Sequence, residues 1–230
     1  MPTAIITGAS SGIGKAIANL LLSKQYEVYG FGRSFTNDMN ASTFHAIVCE
    51  LTNTSQLITK IKEIQSLQPI DLLVNCAGVG YYGPHEELNP QKIHEMVTVN
   101  IEVPLLLSNL LLRDLKKQQG MIINISSVTA QKSNPHGCAY GATKAALSSF
   151  SNSLFDEARK YGVRVVCLHP DMTKTNLYRN ANFKEGPTPD TYLLPEEVAD
   201  AVAYVLEARD GLVISELTIK PQRHQLTKLK

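Results

Sequence analysis

The sequence has almost no excess of charge and no long uncharged apolar run. Its 22 Lys and Arg residues balance 21 Asp and Glu residues, which leaves a formal net charge of +1 at pH 7. This balance gives no electrostatic reason to expect a nucleic acid or an anionic membrane as a partner. An apolar run begins within a few residues of Met1, and no run reaches the length of a bilayer span, so we expect neither a signal peptide nor a membrane anchor.

The chain also lacks a Cys-x-x-Cys pair, internal repeats, linkers and low-complexity tracts. Cys49, Cys76, Cys138 and Cys167 lie mostly in apolar segments. They predict reduced thiols packed in the core of a cytoplasmic protein, with no disulfide framework and no metal site. The length of 230 residues and the 43% of hydrophobic residues fit one domain with a substantial core.

A glycine-rich turn stands between a short apolar run and an amphipathic segment. Residues 4–6 are apolar, the turn reads Thr7-Gly-Ala-Ser-Ser-Gly-Ile-Gly14, and residues 15–22 carry apolar side chains at helical spacing. This order predicts a strand, a turn and a helix. Such a turn lets a pyrophosphate approach the backbone and bind at the helix N-terminus. A tight turn without a ligand gives the same pattern, so the turn alone is a weak signal.

A tyrosine and a lysine are spaced to share one face of a helix. Of nine tyrosines, only Tyr140 has a lysine four positions later, Lys144. Because residues at this spacing are neighbours on a helix, we expect the ammonium to lower the pKa of Tyr140 from its usual value of about 10. Tyr140 would then exchange protons with a carbonyl or an alcohol. An ordinary amphipathic pair is the alternative interpretation.

Together, the two patterns resemble the signature of the short-chain dehydrogenase/reductase family. Both the Thr-Gly-x-x-x-Gly-x-Gly spacing and the later Tyr-x-x-x-Lys pair are motifs of that family. The resemblance extends from Thr3 to about Ile219. It implies a single Rossmann-type, doubly wound α/β domain over residues 1–230, with a seven-stranded parallel sheet flanked by helices on both faces. It also implies a nicotinamide dinucleotide cofactor.

The resemblance implies two catalytic residues besides Tyr140 and Lys144. Ser127 follows an apolar run and occupies the position of the family's catalytic serine, which hydrogen-bonds the substrate oxygen. Asn100 matches the asparagine that holds a water in the family's proton relay. Pro104 adds a physical reason, because it has no N–H to donate to the Asn100 carbonyl.

Positions that match the family assign the cofactor site to loops after the predicted strands. They are Gly8, Ser10, Ser11, Gly12, Ile13, Gly14, Arg33, Ser34, Glu50, Leu51, Asn75, Ala77, Gly78, Tyr140, Lys144, Pro170, Thr173 and Thr175. Two residues depart from the family pattern. Cys76 stands where a second asparagine is usual, and Asp171 replaces the glycine that follows the proline.

The predicted second strand does not end in the acid that NAD-preferring members use to bind the ribose hydroxyls. Gly32 stands at that position and Arg33 follows it. A guanidinium can bind a 2′-phosphate with two hydrogen bonds. We therefore predict NADP (as NADPH in the reduced form), with NAD as the alternative; a solvated loop cation is the plain interpretation of Arg33.

Alternating strand and helix patterns predict the order of elements. Strands are expected near 3–7, 27–32, 44–48, 70–75, 120–126, 163–169 and 212–219. Helices are expected near 12–24, 54–66, 90–118, 139–161 and 195–208.

Three segments carry further expectations. Residues 176–194 break the regular pattern and correspond to the family segment that covers the substrate; a disordered surface loop is the alternative. The leucines of residues 105–115 are apolar on more than one helix face, which predicts burial against another subunit in a homodimer or homotetramer. The basic, polar tail after Pro221 is expected to be loose or to contact a neighbouring subunit.

The predicted function is an NADP-dependent carbonyl reductase or alcohol dehydrogenase that acts on a small carbonyl or secondary alcohol. Two alternatives remain. A non-catalytic NADP-binding redox sensor would tend to lose Tyr140 or Lys144, and this chain has both. A nucleotide-sugar epimerase or dehydratase would show a different glycine spacing and a larger C-terminal region.

Overall fold

The computed structural model describes residues 1–36 and 41–229; residues 37–40 and 230 of the predicted domain lie outside the described residues. In the described residues the strands are β1 (Thr3–Thr7), β2 (Glu27–Gly32), β3 (Phe44–Val48), β4 (Leu72–Asn75), β5 (Met121–Ile125), β6 (Arg164–Pro170), β7 (Phe183–Glu185), β8 (Glu216–Ile219) and β9 (Leu226–Lys228). The α-helices are α1 (Gly12–Ser23), α2 (Thr54–Leu67), α3 (Pro90–Val97), α4 (Val103–Gln118), α5 (Cys138–Ala158) and α6 (Pro195–Leu206).

Seven strands form one parallel sheet, as predicted, and their order is β3-β2-β1-β4-β5-β6-β8. Ile5 of β1 lies between Tyr29 of β2 and Leu73 of β4. The strand order reverses between β1 and β4, so the chains that leave their carboxyl ends diverge and open a crevice, which is where ligands bind in such sheets. The last strand of the sheet begins at Glu216, later than the predicted 212.

Helices cover both faces of the sheet because its strands are apolar on both sides. One apolar cluster joins the sheet to α1 and α6 and includes Ile17 and Val202, both fully buried. The other joins it to α2, α4 and α5 and includes Ile61, Leu107 and Leu154. The predicted doubly wound arrangement is therefore confirmed.

The predicted single helix over 90–118 is divided by a wider turn. At Thr98–Glu102 the backbone forms a π-helical turn in which the Val103 N–H donates to the Thr98 carbonyl. Pro104, which cannot donate a hydrogen bond, follows directly. By length and composition the stretch Pro90–Gln118 could cross a membrane, contrary to the expectation from sequence, yet half of its most apolar window is buried inside the domain.

Two expectations about exposed segments are wrong. The C-terminal tail is not loose, because β9 pairs with β7 of the same chain in a small antiparallel sheet; its contact with a neighbouring subunit stays a prediction. Cys138 is exposed at the start of α5, and its Sγ lies 3.4 Å from the His85 Nδ1, whereas Cys49 and Cys167 are buried thiols as expected.

The homodimer or homotetramer that the sequence predicts stays a prediction.

Buried amides connect β4, β5 and α5 below the crevice. The Asn75 amide donates to Asn124 Oδ1 at 2.8 Å, and the Asn124 amide donates to Ser151 Oγ at 2.8 Å. All three side chains are almost fully buried. A buried polar group is favourable only while it is hydrogen-bonded, so this chain of bonds fixes how α5 sits on the sheet.

Removing Asn124 should therefore destabilise the fold. Asn124→Ala leaves the buried Asn75 amide without its acceptor and removes the bond to Ser151 Oγ, whose hydroxyl still donates to the Leu147 carbonyl. We expect the free energy of unfolding to fall by about 2–3 kcal/mol. Urea titration followed by circular dichroism measures the change. Asn152→Ala is the matched control, since Asn152 is an exposed asparagine on α5, next to Ser151, and its amide bonds Glu216. Equal stability losses in the two variants would contradict the assigned role.

Candidate active site

A cleft opens at the carboxyl ends of the central strands, at the reversal of strand order. Its walls include most of the residues predicted for the cofactor and catalytic sites. These are Gly8, Ser10, Ser11, Gly12, Ile13, Gly14, Arg33, Glu50, Leu51, Ala77, Gly78, Ser127, Tyr140, Lys144, Pro170, Thr173 and Thr175. Ser34, Asn75 and Asn100 are predicted site residues that do not form part of the cleft wall.

The glycine-rich turn closes tightly because three of its positions have no room for a side chain. Gly8 and Gly12 have positive φ angles of 73° and 53°, which glycine adopts without steric cost. A Cβ on Gly14 would lie 2.1 Å from the Gly8 carbonyl oxygen, and a Cβ on Gly8 would lie 2.9 Å from Ala77 Cα. The turn therefore brings bare backbone to the cleft wall.

The N-terminus of α1 faces this cleft without a side-chain cap. Ser11 is the N-cap residue, and its side chain makes no capping hydrogen bond. The first N–H groups of a helix have no intrahelical acceptor, and here they belong to Gly12, Ile13 and Gly14, which line the cleft. Free N–H groups and the helix dipole favour an anion at this place.

Thr7 holds the turn against the neighbouring strand, a role that the sequence analysis missed. Its hydroxyl oxygen accepts hydrogen bonds from the N–H groups of Cys76 and Ala77, both at 3.1 Å. Thr7, the first residue of the Thr-Gly-x-x-x-Gly-x-Gly motif, thus links the end of β1 to the end of β4. A threonine directly before a glycine turn was the available signal.

At the far end of the cleft, Gly32 and Arg33 occupy the positions expected to select the cofactor. A Cβ on Gly32 would lie 2.8 Å from the Ser10 side chain, so Gly32 is also needed for the turn to pack on β2. Arg33 is exposed at the cleft wall near Glu50 and Leu51, whereas Ser34 is exposed outside it.

Asn100 lies in the π-helical turn and supports the cleft from behind. It is fully buried; its Oδ1 accepts from the Val79 N–H and its amide donates to the Val79 carbonyl, both at 2.9 Å. The amide also donates to Thr143 Oγ1 at 3.0 Å, and the Thr143 hydroxyl donates to the Tyr140 carbonyl. Asn100 therefore connects the loop after β4 to the helix that carries Tyr140.

Ser127, Tyr140 and Lys144 meet at the near end of the cleft. The Ser127 oxygen accepts bonds from the Thr129 N–H at 3.2 Å and the Thr129 hydroxyl at 3.0 Å. Its own proton is then available to donate toward the cleft. The Ser127 hydroxyl faces the Tyr140 phenol and favours its ionised form.

Lys144 is a buried cation. Its side chain is 3% exposed, and the ammonium donates to the Ile125 carbonyl at 2.8 Å. The ammonium lies 5.8 Å from the centroid of the Tyr140 ring. Because burial disfavours the charged form, the pKa of Lys144 falls to about 8, against the opposing effect of the Cys76 and Cys167 thiols.

The prediction that the pKa of Tyr140 is lowered is wrong, because its net shift is upward. Burial raises the pKa of Tyr140 above its usual value, and only the hydrogen bond from Ser127 lowers it. The i, i+4 spacing does bring the two side chains to one face. Their depth in the protein, which the spacing does not reveal, decides the sign of the shift.

Three aromatic side chains, Tyr82, Tyr178 and Phe183, form what we term the aromatic wall beside Tyr140. The Tyr82 ring centroid lies 5.7 Å from that of Tyr140, 6.0 Å from Tyr178 and 5.1 Å from Phe183. Tyr178 and Phe183 are 5.6 Å apart. These distances are typical of packed aromatic pairs, so residues 176–194, termed the lid, are packed over the catalytic end.

Asp171 and His169 lie close to this end of the cleft, whereas His136 lies outside its wall. Asp171, the departure from the family pattern, lines the cleft and accepts the Met172 N–H at 2.8 Å. His169, which the sequence analysis missed, is buried, and its Nδ1 lies 3.3 Å from the Ser127 carbonyl. Its position at the end of an apolar strand was the only signal. His136 is exposed and lies outside the cleft wall.

The residues present fit a nicotinamide dinucleotide. The bare backbone of the glycine turn and the uncapped start of α1 suit a pyrophosphate. The side chains of Tyr140 and Lys144 lie at the other part of the same cleft. Among residues 1–36 and 41–229 no cluster of side chains could hold a metal ion.

Comparison with known proteins identifies the family. A family model described as "short chain dehydrogenase" matches residues 2–186 of the chain. The chain is 31% identical over 226 residues to an uncharacterized oxidoreductase of Staphylococcus haemolyticus, covering 95% of this chain and 96% of that protein. It is also 31% identical over 204 residues to the NADPH-dependent 3-dehydrocapnine reductase of Ornithobacterium rhinotracheale, covering 83% and 72%.

Solved structures give the same result. An alcohol dehydrogenase from the archaeon Thermococcus sibiricus, complexed with 5-hydroxy-NADP, superimposes with a TM-score of 0.87 at 26% identity over 98% of this chain and 99% of that one. A metagenomic short-chain oxidoreductase in complex with NADP gives 0.80 at 27% identity, over 96% and 97%. The chain therefore belongs to the short-chain dehydrogenase/reductase family and is an NAD(P)-dependent oxidoreductase.

Proposed function

We propose that this oxidoreductase is an NADP-dependent carbonyl reductase that converts a small ketone or aldehyde to an alcohol. The observation that carries the proposal is the meeting of Ser127, Tyr140 and Lys144 in one cleft with the glycine-rich turn. Tyr178, the member of the aromatic wall that lines the cleft, favours substrates that carry a flat or apolar group beside the carbonyl.

The chain's own residues supply the proton and stabilise the oxygen. When bound, a nicotinamide dinucleotide supplies the hydride that reduces the carbonyl carbon. The Tyr140 phenol donates its proton to the carbonyl oxygen, and the Ser127 hydroxyl donates a hydrogen bond to the same oxygen as charge develops there. The Ser127 hydroxyl favours the phenolate that remains, and the Lys144 ammonium, 5.8 Å from the centroid of the Tyr140 ring, binds the nicotinamide ribose.

The raised pKa of Tyr140 supports the direction of reduction. A phenol that stays protonated at neutral pH carries the proton that reduction requires, and its raised pKa means that it gives up this proton only as negative charge develops on the substrate oxygen. Oxidation of an alcohol would first need the phenolate, which burial disfavours.

The preference for NADP rests on Arg33 and on the absence of an acid at Gly32. A carboxylate at the end of β2 would repel a 2′-phosphate, and the exposed Arg33 guanidinium at the cleft wall can bind it. One relative is named NADPH-dependent, and two of the similar structures contain NADP or a derivative of it.

We further propose that the protein acts in the cytoplasm as a homodimer or homotetramer. The free thiols of Cys49, Cys76 and Cys167 are consistent with a reducing compartment. Leu105 of α4 and Val97 of α3 are 38% and 45% exposed, which leaves apolar surface on that helical stretch for a second subunit.

Tyr140→Phe tests the role of the phenol. The variant keeps the ring but cannot donate a proton, so kcat for NADPH-dependent reduction should fall on the order of 10²-fold or more, with NADPH binding retained. A panel of aryl ketones, diketones, quinones and aldehydes is assayed by NADPH absorbance, with Tyr204→Phe, an exposed tyrosine, as the control. Retained turnover in Tyr140→Phe would refute the assignment; tight NADPH binding by the parent with no turnover would favour the redox sensor.

The pH dependence of kcat/KM for NADPH reports the pKa values of groups in the free enzyme. It therefore tests the lowered pKa of Lys144. Since that pKa is about 8, the ammonium loses its charge as pH rises through 8, and kcat/KM should decline there. Lys144→Arg keeps a charged group to far higher pH, so its lower residual activity should not decline near pH 8. The same decline in both proteins would exclude Lys144 as its source.

Arg33→Ala tests the choice of cofactor. Loss of charge-assisted hydrogen bonds to a 2′-phosphate, worth about 1.5–3 kcal/mol, should raise the Kd for NADPH roughly 10- to 100-fold and leave that for NADH unchanged. Fluorescence titration of each nucleotide measures the two constants. Arg113→Ala, at an exposed position on α4, controls for loss of positive charge. Equal affinities of the parent for the two nucleotides would overturn the proposed preference.

A further inference from the structure

The C-terminal tail, residues 222–229, is bound to the middle of the lid. β9 pairs with β7 in antiparallel register, with Phe183 opposite Lys228, Lys184 opposite Thr227 and Glu185 opposite Leu226. The Leu229 N–H extends this ladder by donating to the Asn182 carbonyl at 2.7 Å. Hydrogen-bonded pairs alternate along an antiparallel ladder, so the Thr227 N–H faces Lys184.

A charged side chain fixes the same two segments a few residues away. The Arg223 Nε donates to Asp190 Oδ2 at 2.5 Å, and its Nη2 donates to Asp190 Oδ1 at 3.0 Å and to Thr188 Oγ1 at 3.1 Å. The Arg223 N–H also donates to the Asp190 carbonyl. The hydrogen bonds from Arg223 lower the pKa of Asp190 to about 2, so the pair stays charged at every working pH.

The lid has few other constraints between its two ends. Its C-terminal end is held to the core. Leu193 forms an isolated β-bridge with Thr173, and the Leu193 N–H donates to the Met172 carbonyl at 2.7 Å. At its N-terminal end, Thr175 caps the turn that contains Tyr178. The segment between them, residues 182–190, is where the tail binds.

The tail contributes little to the hydrophobic core. Residues 222–226 are exposed, so their contacts with the lid are the main interactions that they make. Phe183 belongs to β7 and packs on both Tyr82 and Tyr178, and Tyr82 packs on Tyr140. A continuous set of contacts therefore runs from the tail, through Phe183, to the catalytic tyrosine.

We propose that the C-terminal tail is a positioning element of the substrate site: Arg223 and β9 hold Phe183 in place and so fix the aromatic wall beside Tyr140. On this account Arg223 touches no substrate and acts through the lid. Its effect on substrate affinity rests on the proposed function, whereas its effect on the lid does not.

Hydrogen–deuterium exchange on the full-length protein tests the effect on the lid. In Arg223→Ala and in Thr227→Pro, which removes the N–H facing Lys184, amide exchange in residues 183–191 should be at least about fivefold faster than in the parent. Residues 80–83, around Tyr82, should also exchange faster. Exchange in the central sheet should be unchanged, which shows that the fold is intact. Arg159→Ala, which breaks the exposed pair with Asp156, is the matched control and should leave the lid unchanged.

Kinetics test the effect on the site. Where the parent reduces a carbonyl compound, KM for that compound should rise about three- to tenfold in Arg223→Ala, while the Kd for NADPH stays within about twofold. Arg223→Lys keeps the charge and one donor and should recover part of the loss.

Each outcome decides one of the two claims. Unchanged exchange in the lid, or faster exchange in the lid with neither residues 80–83 nor KM affected, overturns the proposal for the tail. A parent that reduces no carbonyl defeats the proposed function, and the exchange of residues 80–83 then still decides whether the tail positions the aromatic wall.

Discussion

The buried ammonium of Lys144 is the constraint around which the site is arranged. Placing a cation where it is 3% exposed costs free energy, and the protein offsets that cost with a hydrogen bond to the Ile125 carbonyl. The helix that carries Lys144 must therefore lie at one height and rotation on the sheet. Small shifts of α5 would leave the ammonium without its acceptor.

Polar contacts along α5 maintain that placement. Lys144, Ser148 and Ser151 recur at helical spacing and face the sheet, where a purely apolar stripe would be usual. Ser126 donates to the Lys144 carbonyl at 3.0 Å, and Ser151 bonds Asn124. On the other side, Asn100 bonds Thr143. Directional bonds of this kind fix the helix more narrowly than apolar packing does, which is what a catalytic tyrosine one turn away requires.

Local patterns made much of this site predictable. The glycine turn and the Tyr140–Lys144 spacing each lie within a few residues, where backbone sterics and helix geometry decide the outcome. The sign of the Tyr140 pKa shift could not be predicted in the same way. It depends on burial under Tyr82 and the lid, which are distant from Tyr140 in sequence and become its neighbours only in the fold.

The small sheet of β7 and β9 could not be predicted from sequence patterns, because it too depends on residues that are distant in sequence. Each strand has three residues, too few to show an alternation of polar and apolar side chains. Arg223 and Asp190 look like ordinary surface charges, and more than thirty positions separate them. Their pairing follows from where β8 ends, not from any local signal in the tail.

The near-neutral charge of the chain conceals positive groups placed at three points of a cleft whose wall also carries Glu50, Glu95 and Asp171. Arg33 lies at one end, the N–H groups of α1 in the middle and Lys144 at the other. Each suits a different part of an anionic dinucleotide. A net charge of +1 describes the whole surface and says nothing about such local placement, because screening limits each charge to its own surroundings.

The lid that covers the catalytic end of the cleft also affects the pKa of Tyr140. Burial is the main cause of both pKa shifts, raising that of Tyr140 and lowering that of Lys144. Tyr82, which packs on the Tyr140 ring and on Tyr178, provides part of the burial of Tyr140. If the aromatic wall moved away, water would reach the phenol and its pKa would return toward the ordinary value. Enclosure beneath the aromatic wall therefore sets how tightly the phenol holds its proton. The tail binds the lid, and its contacts reach Tyr140 only through Phe183 and Tyr82.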